Sequence, residues 1–549
     1  MRNKEDIVVE AGHAQDVAAR DDAHLRSLGI KPELQRTLGF LSNFAVAFSY
    51  ISVSTGTFTL FAVGIGVGGP AFFWAWPLVI LGQTFVALNF AELASHFPVA
   101  GSIYQWSKRL SNKTLGWFTG WIYFWAGVLT TTAVAVTVPL VLSTVLGFDL
   151  GAPSIVPALS NLVFVAMVTL IITTIINAFG VRLLALINNI GVGAEILGLA
   201  VFGLILLIFF NHQPLSVLTQ TAGLENQPGV GIVPVFLVAM FMALFVVYGF
   251  DTAGTFGEET LDAGRQAPRG VLSAIWLSGA VGVIFLLAII LSFKDMAAGI
   301  ASGQNFGLPI ADTLIENLGD FGKVYLTVIL IAVFVCTLAI QGATTRLMFS
   351  MGRDRRLPLG SVWGHVNPTF KTPANAAVAV GVLSAIPFLA TDSPLILATA
   401  ATGMIYLSYF LCNLGVFSAR VRGWPQKGAW FSLRGWGTVI NGLALLWGGL
   451  MLINFALWRS DLFGAFGTAT YNLADGTAFA LRDLTNPLIN ETISIGGSVL
   501  SGLPAIPIFE FMLGIVVLVG VVYYLVADRG DVTSTSLEPD LATGEAVIG

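Results

Sequence analysis

The sequence predicts an all-α polytopic membrane protein whose chain crosses the bilayer twelve times. Three observations lead to this fold class: the composition, the number of long apolar stretches, and the distribution of positive charge. Hydrophobic residues make up 56% of the 549 residues, and charged residues only 10%. A soluble domain carries about 25% charged residues, so we expect the lipid bilayer to solvate much of this surface. The net charge of −5 gives no reason to expect a nucleic-acid partner.

Twelve stretches are apolar enough and long enough to cross a bilayer, which takes about 20 helical residues. Backbone polar groups in lipid must be hydrogen-bonded within the segment itself, so these stretches are expected to be helices. Their approximate limits are 38–66, 71–97, 115–146, 155–179, 183–210, 232–257, 270–292, 322–350, 374–391, 395–417, 437–458 and 507–527.

Positive charge is distributed unevenly between the two sides that these stretches define. Of the 26 lysines and arginines, 22 fall in the two tails and around the segments that follow even-numbered stretches. The other four are Lys294, Lys323, Arg459 and Arg482. Such an excess marks the cytoplasmic side, so both termini are predicted to be cytoplasmic in a plasma-membrane protein.

The same pattern divides the chain into five segments. The outer loop at 459–506 is long for a compact protein, and its role is open. The segments are a tail at 1–36, a first five-helix unit at 37–210, a second at 211–425, two more helices with the outer loop at 426–528, and a tail at 529–549.

Small polar residues and glycines interrupt the first and the sixth stretch. The first contains ISVSTGT at 51–57, and the sixth contains VVYGFDTAGTFGEET at 246–260. Interrupted helices at matching positions of two halves indicate the binding site of a secondary transporter. Five stretches, an odd number, precede the sixth, so the second half would be inverted relative to the first. The alternative is that these small residues only let helices pack closely.

An unwound helix exposes backbone groups that can bind a ligand. Free N–H groups at the start of a half-helix suit a carboxylate, because the helix dipole is positive there. Freed carbonyl groups suit an ammonium group or a metal ion. Glycine permits the unwinding.

Four motifs resemble the amino acid–polyamine–organocation (APC) superfamily, and most closely its branch of GABA, choline and related amine permeases. The similarity covers roughly residues 37–425. The motifs are AELASHFPVAGSIYQWS (91–107), YGFDTAGTFGEET (248–260) with APRG (267–270), TTRLMFSMGRDRRLP (344–358) and TPANAA (372–377). The resemblance implies a LeuT-like fold of two inverted five-helix repeats, with helices 1 and 6 broken and two further helices. It also implies solute uptake coupled to an ion.

The resemblance also implies which residues bind substrate. The first interruption matches a carboxylate-binding loop that is usually richer in glycine, and hydroxyl residues stand in its place here. The sixth matches a segment that lines and gates the pocket, with Phe245 as an aromatic lid, although an aromatic ring can equally serve packing. The expected substrate-binding residues are Ser52, Val53, Ser54, Thr55, Gly56, Phe124, Phe245, Tyr248, Gly249, Phe250 and Asp251.

Carboxylates within apolar stretches are costly and usually functional. Many relatives carry a lysine where this chain has Glu195. A carboxylate there can hold a proton, because burial penalises its charged form, or it can attract sodium or a cationic substrate. We expect Glu195 to couple transport to an ion, with the Thr337 hydroxyl nearby. The alternative is a structural glutamate hydrogen-bonded to a neighbouring helix.

Three further carboxylates lie at the predicted cytoplasmic ends of the helices. Glu92 is expected to pair with a cytoplasmic basic residue and to close an inner gate. Glu258 and Glu259 follow the sixth stretch. They are expected either to cap the helix or pair with Arg265 or Arg269, or to contribute to gating.

These features favour a secondary active transporter for a small amine-bearing solute such as an amino acid, GABA, choline or a polyamine, with the proton as the coupling ion. Sodium coupling, exchange, a channel, or a solute sensor on the same fold are the alternatives. An enzyme would need a nucleophile with its base, or metal ligands, and no such set is evident. Cysteine and histidine spacing indicates no metal site or cofactor, and the oligomeric state is open.

Overall fold

The computed structural model describes residues 4–226, 231–305, 307–389, 391–426, 428–456 and 508–527, together with four short strands. For residues 4–14 it describes the backbone alone. The predicted outer loop at 459–506, apart from those strands, and the predicted tail at 529–549 lie outside the described residues.

The described chain is a bundle of α-helices joined by short 3₁₀ turns. The helices are α1 (Lys4–Ser27), α2 (Phe40–Ile51), α3 (Val53–Gly68), α4 (Ala75–His96), α5 (Ser102–Leu110), α6 (Lys113–Leu146), α7 (Asn161–Phe179), α8 (Val181–Phe209), α9 (Ile232–Ala239), α10 (Phe241–Val246), α11 (Thr252–Thr255), α12 (Ala263–Leu291), α13 (Met296–Gln304), α14 (Pro309–Leu318), α15 (Asp320–Arg353), α16 (Gly360–Trp363), α17 (Ala374–Ala385), α18 (Pro394–Val421), α19 (Gly437–Ala456) and α20 (Ile508–Ala527). The 3₁₀ turns are Gly69–Trp74, Leu215–Thr219, Leu224–Asn226, Gly257–Glu259, Ile386–Leu389 and Arg434–Trp436.

Two short antiparallel hairpins are the exception to the helical fold. The first pairs β1 (Thr470–Asn472) with β2 (Ala478–Ala480), and the second pairs β3 (Ile493–Ile495) with β4 (Ser498–Leu500). Both fall within the predicted outer loop, which the sequence analysis did not expect to contain strands.

Within the described residues, eight helical stretches are long and apolar enough to cross a membrane, the run Phe40–His96 being one of them. Shorter apolar helices span Ile232–Val246, Ala374–Leu389 and Met512–Val526. Large apolar side chains are exposed on the outside of the bundle, as on α8, where Leu197 is 66% exposed. Lipid is the solvent that such a surface requires, so the chain is a multi-pass membrane protein.

Several helices begin with ordinary capping chemistry. The side chain of Asn112 accepts from the backbone N–H of Leu115, 2.8 Å away, at the start of α6. Ser160 caps α7, and Ser393 caps α18, where Pro394 is the first helical residue. Side-chain caps satisfy N–H groups that have no partner inside the helix. The cap at Ser160 explains why this helix begins several residues after the predicted limit of 155.

The first and sixth apolar stretches, 38–66 and 232–257, are each divided within the segments that the sequence predicts to be interrupted. α2 and α3 are separated at Ser52, which has φ of +32°. We call this the first break. α10 ends at Val246 and α11 begins at Thr252, and we call residues 247–251 the second break.

The centre of the bundle surrounds these breaks. α6 packs against α15 and α18, α12 packs against α2 and α4, and α3 packs against α10. We call the end of the bundle that carries α1, α5 and α16 the N-terminal face. The end that carries α13 and α14 is the opposite face.

Candidate functional site

The two breaks lie directly against each other. A Cβ atom added to Gly249 would lie 2.0 Å from Cδ1 of Tyr50, and one added to Gly56 would lie 2.5 Å from Cγ2 of Val246. Gly249 also has φ of +90°, which disfavours any residue with a Cβ. Glycine at these two positions therefore allows the two interrupted helices to meet.

Hydroxyl groups turn the chain at the first break. Ser52 Oγ lies 2.6 Å from Thr55 Oγ1 and accepts from the backbone N–H of Thr55 at 3.4 Å. Such side chains offer the backbone an alternative to helical hydrogen bonding. Val53, at the start of α3, is fully buried. Ser52 is a buried non-glycine residue with positive φ, so its backbone is strained, as is common at functional sites.

Glu195 of α8 binds the start of α3 at this break. Its Oε1 atom accepts from Ser54 Oγ at 2.7 Å, from Ser52 Oγ at 2.9 Å and from the backbone N–H of Ser54 at 3.1 Å. The side chain is almost fully buried, with 2% exposure. The structure therefore brings together two groups that the sequence analysis had assigned separately, the carboxylate-binding loop and the proposed coupling residue.

Asp251 closes the second break inside a cage of hydroxyl groups. Its carboxylate accepts from Ser102 Oγ at 2.9 Å, from Tyr123 OH at 2.9 Å to both oxygens, and from Tyr409 OH. Tyr409 OH also accepts from the backbone N–H of Gly249 at 2.9 Å. The carboxylate is completely buried. Three helices thus fix the second break through one side chain.

Ser102, Tyr123 and Tyr409 are not among the residues predicted from the sequence. The predicted residue is Phe124, the neighbour of Tyr123, whose ring contacts Trp121 and Trp125 in its own helix. A hydroxyl group on a ring within an apolar stretch was the available signal, because a buried phenol needs a hydrogen-bond partner. The substrate-binding role of Phe124 stays a prediction.

The aromatic residues of the second break divide into two groups. The ring of Tyr248 lies 6.1 Å from that of Tyr50 and 5.9 Å from that of Phe245, in edge-to-face arrangements. Phe250 instead packs against Phe90 and Tyr409, at 6.0 and 5.5 Å. Phe245 and Tyr248 are therefore placed with the first break, and Phe250 with the Asp251 cage.

The hydroxyl group of Thr337 forms a hydrogen bond within its own helix, α15. The hydroxyl donates to the carbonyl of Val333 at 2.9 Å. Its expected part in ion coupling stays a prediction.

The nearby Cys336 donates to the carbonyl of Tyr50, with Sγ and O 3.6 Å apart, and Cys412 is likewise buried without a disulfide. Across the described ranges, no three histidine, cysteine or carboxylate side chains come together as metal ligands.

Three ion pairs with buried carboxylates lie across the N-terminal face, and we call them the ionic layer. They are Glu92 with Arg420, Glu258 with Arg353, and Glu259 with Arg346.

The partners of Glu258 and Glu259 differ from the expected ones. The two arginines close in sequence, Arg265 and Arg269, lie instead over the rings of Trp430 and Phe40. Glu258 and Glu259 are fixed in a 3₁₀ turn that faces the end of α15. The tertiary fold therefore supplies partners about 90 residues away in place of local ones.

Glu92 is fully engaged within the ionic layer. Arg420 donates to its Oε2, while the backbone N–H of Leu433 and the hydroxyl of Ser432 donate to its Oε1 at 2.9 and 3.1 Å. This carboxylate ties α4 to α18 and to the segment before α19.

Asp354, which follows α15 on the N-terminal face, joins a second polar cluster. One carboxylate oxygen accepts from Lys108 Nζ at 2.7 Å, from Tyr104 OH at 2.8 Å and from Gln105 Nε2 at 2.9 Å. Burial raises the pKa of this carboxyl group, but Lys108, Arg353 and the Tyr104 hydroxyl together outweigh burial, so the pKa lies below its usual value.

A cavity of about 420 Å³ lies toward the opposite face. Its lining comes from the part of α3 that follows the first break and from the ends of α6, α14 and α18. The lining includes Phe58, Thr59, Phe61, Leu140, Leu308 and Leu395. The chain contacts Glu259 just before α2, passes the first break at Ser52 and reaches the cavity at Phe58, so the breaks lie between the ionic layer and the cavity.

Comparison with known proteins identifies the family. A family model described as "Amino acid permease" matches residues 38–470. The chain is 29% identical to "Amino-acid permease BAT1 homolog" of Oryza sativa subsp. japonica, over 82% of this chain and 89% of that protein. It is 26% identical to "Amino-acid permease BAT1" of Arabidopsis thaliana, over 79% and 87%. It is 25% identical to "Low-affinity putrescine importer PlaP" of Escherichia coli (strain K12), over 70% and 81%. The chain belongs to the amino acid permease family, within the APC superfamily.

Proposed function

We propose that this chain is a secondary active transporter that imports a small amine-bearing solute by alternating access. The observation that carries the proposal is the contact between the two breaks, with a cavity on one side of them and the ionic layer on the other. Broken helices that meet near the middle of the bilayer are the usual binding site of such transporters. Membership of the permease family supports this function.

The proposed architecture has twelve transmembrane helices in a LeuT-like arrangement of two inverted repeats plus two. The N-terminal face is then cytoplasmic, as the excess of lysine and arginine favours. In this orientation the ionic layer closes the cytoplasmic side, with Glu92 and Arg420 as an inner gate. The cavity opens toward the outside and gives the solute its way in.

The substrate site lies around the breaks. Relatives named for amino-acid transport and for putrescine import make an amine-bearing solute the best-supported class. Tyr248 and Phe245 supply aromatic faces that attract an ammonium group, with Phe245 as the lid. Val246 and Gly56 hold the two helices close enough for one small solute to touch both.

The proposed coupling ion is the proton, with Glu195 as the residue that carries it. A buried carboxylate bound to the start of α3 is well placed, because protonation would weaken its hold on that helix and allow it to move. Sodium coupling and exchange are the competing mechanisms. A Glu195→Gln protein that still concentrates solute under a proton gradient would contradict this role.

The test is uptake of labelled GABA and labelled choline into proteoliposomes, with an inward proton gradient in sodium-free buffer. We expect concentrative uptake of at least one solute, and its collapse on addition of a protonophore. Uptake that needs sodium or an internal counter-solute would change the coupling mechanism alone. Failure of both solutes, of putrescine and of the common amino acids to bind or move would refute the proposed function.

A further inference from the structure

The start of α3 already holds an anion that belongs to the protein. Oε1 of Glu195 accepts hydrogen bonds from the backbone N–H of Ser54 and from the hydroxyl groups of Ser52 and Ser54, all within 3.1 Å. The N-terminal end of a helix is positive, and α3 is 16 residues long. In transporters with broken helices, this is where an anionic group of the substrate binds.

The next two amide groups of α3 are also engaged. The backbone N–H of Thr55 donates to Ser52 Oγ at 3.4 Å, and that of Gly56 donates to the Ser52 carbonyl at 3.1 Å. A substrate carboxylate would therefore compete with Glu195 for the Ser54 amide. Two carboxylates on one set of donors repel each other.

A second buried carboxyl group belongs to the second break. Asp251 is fully buried, and its described partners are hydroxyl groups of Ser102, Tyr123 and Tyr409. Within the described part of the chain, no lysine, arginine or histidine forms an ion pair with Asp251 or with Glu195.

The groups around the breaks thus offer acceptors and aromatic faces rather than cations. The rings of Tyr50, Tyr248 and Phe245 form a continuous edge-to-face cluster beside the first break. Aromatic faces attract ammonium groups, most strongly where water is excluded. The carboxyl oxygens and the aromatic faces beside the breaks therefore favour an ammonium group as the ligand.

We propose that Glu195 occupies the place of a substrate carboxylate, and that the transported solute is an ammonium compound without a carboxylate. This inference rests on the proposed transport function and narrows its substrate class. A diamine and a quaternary amine both satisfy it, whereas a zwitterionic amino acid has to displace Glu195 from Ser54.

Two matched pairs of solutes test this substrate class. Putrescine and GABA share a four-carbon chain with one ammonium end and differ in whether the other end is ammonium or carboxylate. Choline and glycine betaine share a trimethylammonium group and differ in whether the other end is hydroxyl or carboxylate. Equilibrium binding to the purified full-length protein and uptake into proteoliposomes are measured for all four labelled solutes.

We expect at least one carboxylate-free member to be preferred over its partner by about tenfold or more, because like charges placed together oppose binding. Equal or better binding and uptake of GABA or glycine betaine would overturn the inference and leave the transport function standing. Transport of a common amino acid with none of the four solutes would overturn the inference alone. Failure of all four solutes and of the common amino acids to bind or move would overturn the transport function itself, and the inference with it.

Two variants locate the preference at Glu195. Glu195→Gln keeps the shape of the side chain and removes its charge, so we expect the ratio of carboxylate-free to carboxylate-bearing solute bound to fall by about fivefold or more. Glu316→Gln removes a half-exposed carboxylate on the opposite face and should leave that ratio unchanged. An unchanged ratio in a folded Glu195→Gln protein would overturn the assignment, since a purely structural glutamate affects both solutes alike.

Discussion

Replacing Glu259 by glutamine would leave a buried arginine without its counter-charge. Arg346 has a side-chain exposure of 0% and Glu259 of 2%. Two hydrogen bonds join them, from Nε to Oε1 at 2.8 Å and from Nη2 to Oε2 at 3.1 Å. After the substitution, Arg346 keeps the carbonyl of Gly342 at 3.3 Å and the ring of Phe256 at 4.4 Å. Neither group carries a negative charge.

The expected cost follows from these contacts. Hydrogen bonds to charged groups contribute about 1.5–3 kcal/mol each, so losing two predicts about 3–6 kcal/mol. Breaking a buried ion pair by removing one partner costs about 3–5 kcal/mol in other proteins. A glutamine oxygen can still accept one bond from Arg346, which places our expectation for Glu259→Gln at about 3 kcal/mol.

The assay is reversible unfolding in mixed detergent micelles of the wild type, Glu259→Gln, Arg346→Met and the double variant. Because each single variant strands one member of the pair, the double variant should be less destabilised than the sum, by about 2 kcal/mol or more. Glu316→Gln is the control, since its pair with Lys294 is exposed and long, at 3.6 Å, and should change stability by about 0.5 kcal/mol or less.

Two results would refute this reasoning. If Glu259→Gln costs less than about 1 kcal/mol, water reaches Arg346 and the ionic layer is not closed. If the two single variants add without coupling, the pair is not an energetic unit.

Three further predictions concern the break, the gate and acid stability. Gly249→Ala should lower uptake by about tenfold or more, because its Cβ would lie 2.0 Å from Tyr50. Gly442→Ala is the control, since Gly442 has open space around it, and uptake should not change. Normal uptake by Gly249→Ala would show that the breaks need not touch. Glu92→Gln removes the negative charge that pairs with Arg420, so efflux of solute from loaded vesicles should rise. Unchanged efflux would argue against an inner gate at this pair. Asp354 has a lowered pKa in the folded protein, so its stabilisation is present above about pH 4 and is lost as the pH falls through the folded value. Asp354→Asn should therefore flatten the acid limb of thermal stability, and a limb as steep as in the wild type would contradict the assignment.

The breaks could be predicted from the sequence because their signals are local. Glycine, serine and aspartate within an apolar stretch have few explanations other than an interrupted helix or close packing. The structure adds what local patterns cannot give, which is that Gly249 meets Tyr50 about 200 residues away. That contact depends on how α2 and α10 are placed by the rest of the bundle.

Partner assignment failed where it relied on nearness in sequence. Arg265 and Arg269 are close in sequence to Glu258 and Glu259, and this nearness alone suggested them as partners. Each glutamate instead pairs with an arginine of α15. Glu195 could be identified as unusual for the same reason that the breaks could, since a carboxylate in an apolar stretch is costly. Its attachment to the start of α3 required the fold.

The ionic layer also determines how much free energy is needed to separate the helices that meet at the N-terminal face. An apolar closure would expose carbon surface to water at about 25 cal/mol per Å². Charged groups behave differently, because water that enters the gap rehydrates them and offsets most of the Coulomb attraction that is lost. A closure built from ion pairs can therefore exclude water while it is shut and still part at small net cost. In the proposed alternating-access cycle, such a layer would suit repeated opening rather than static strength.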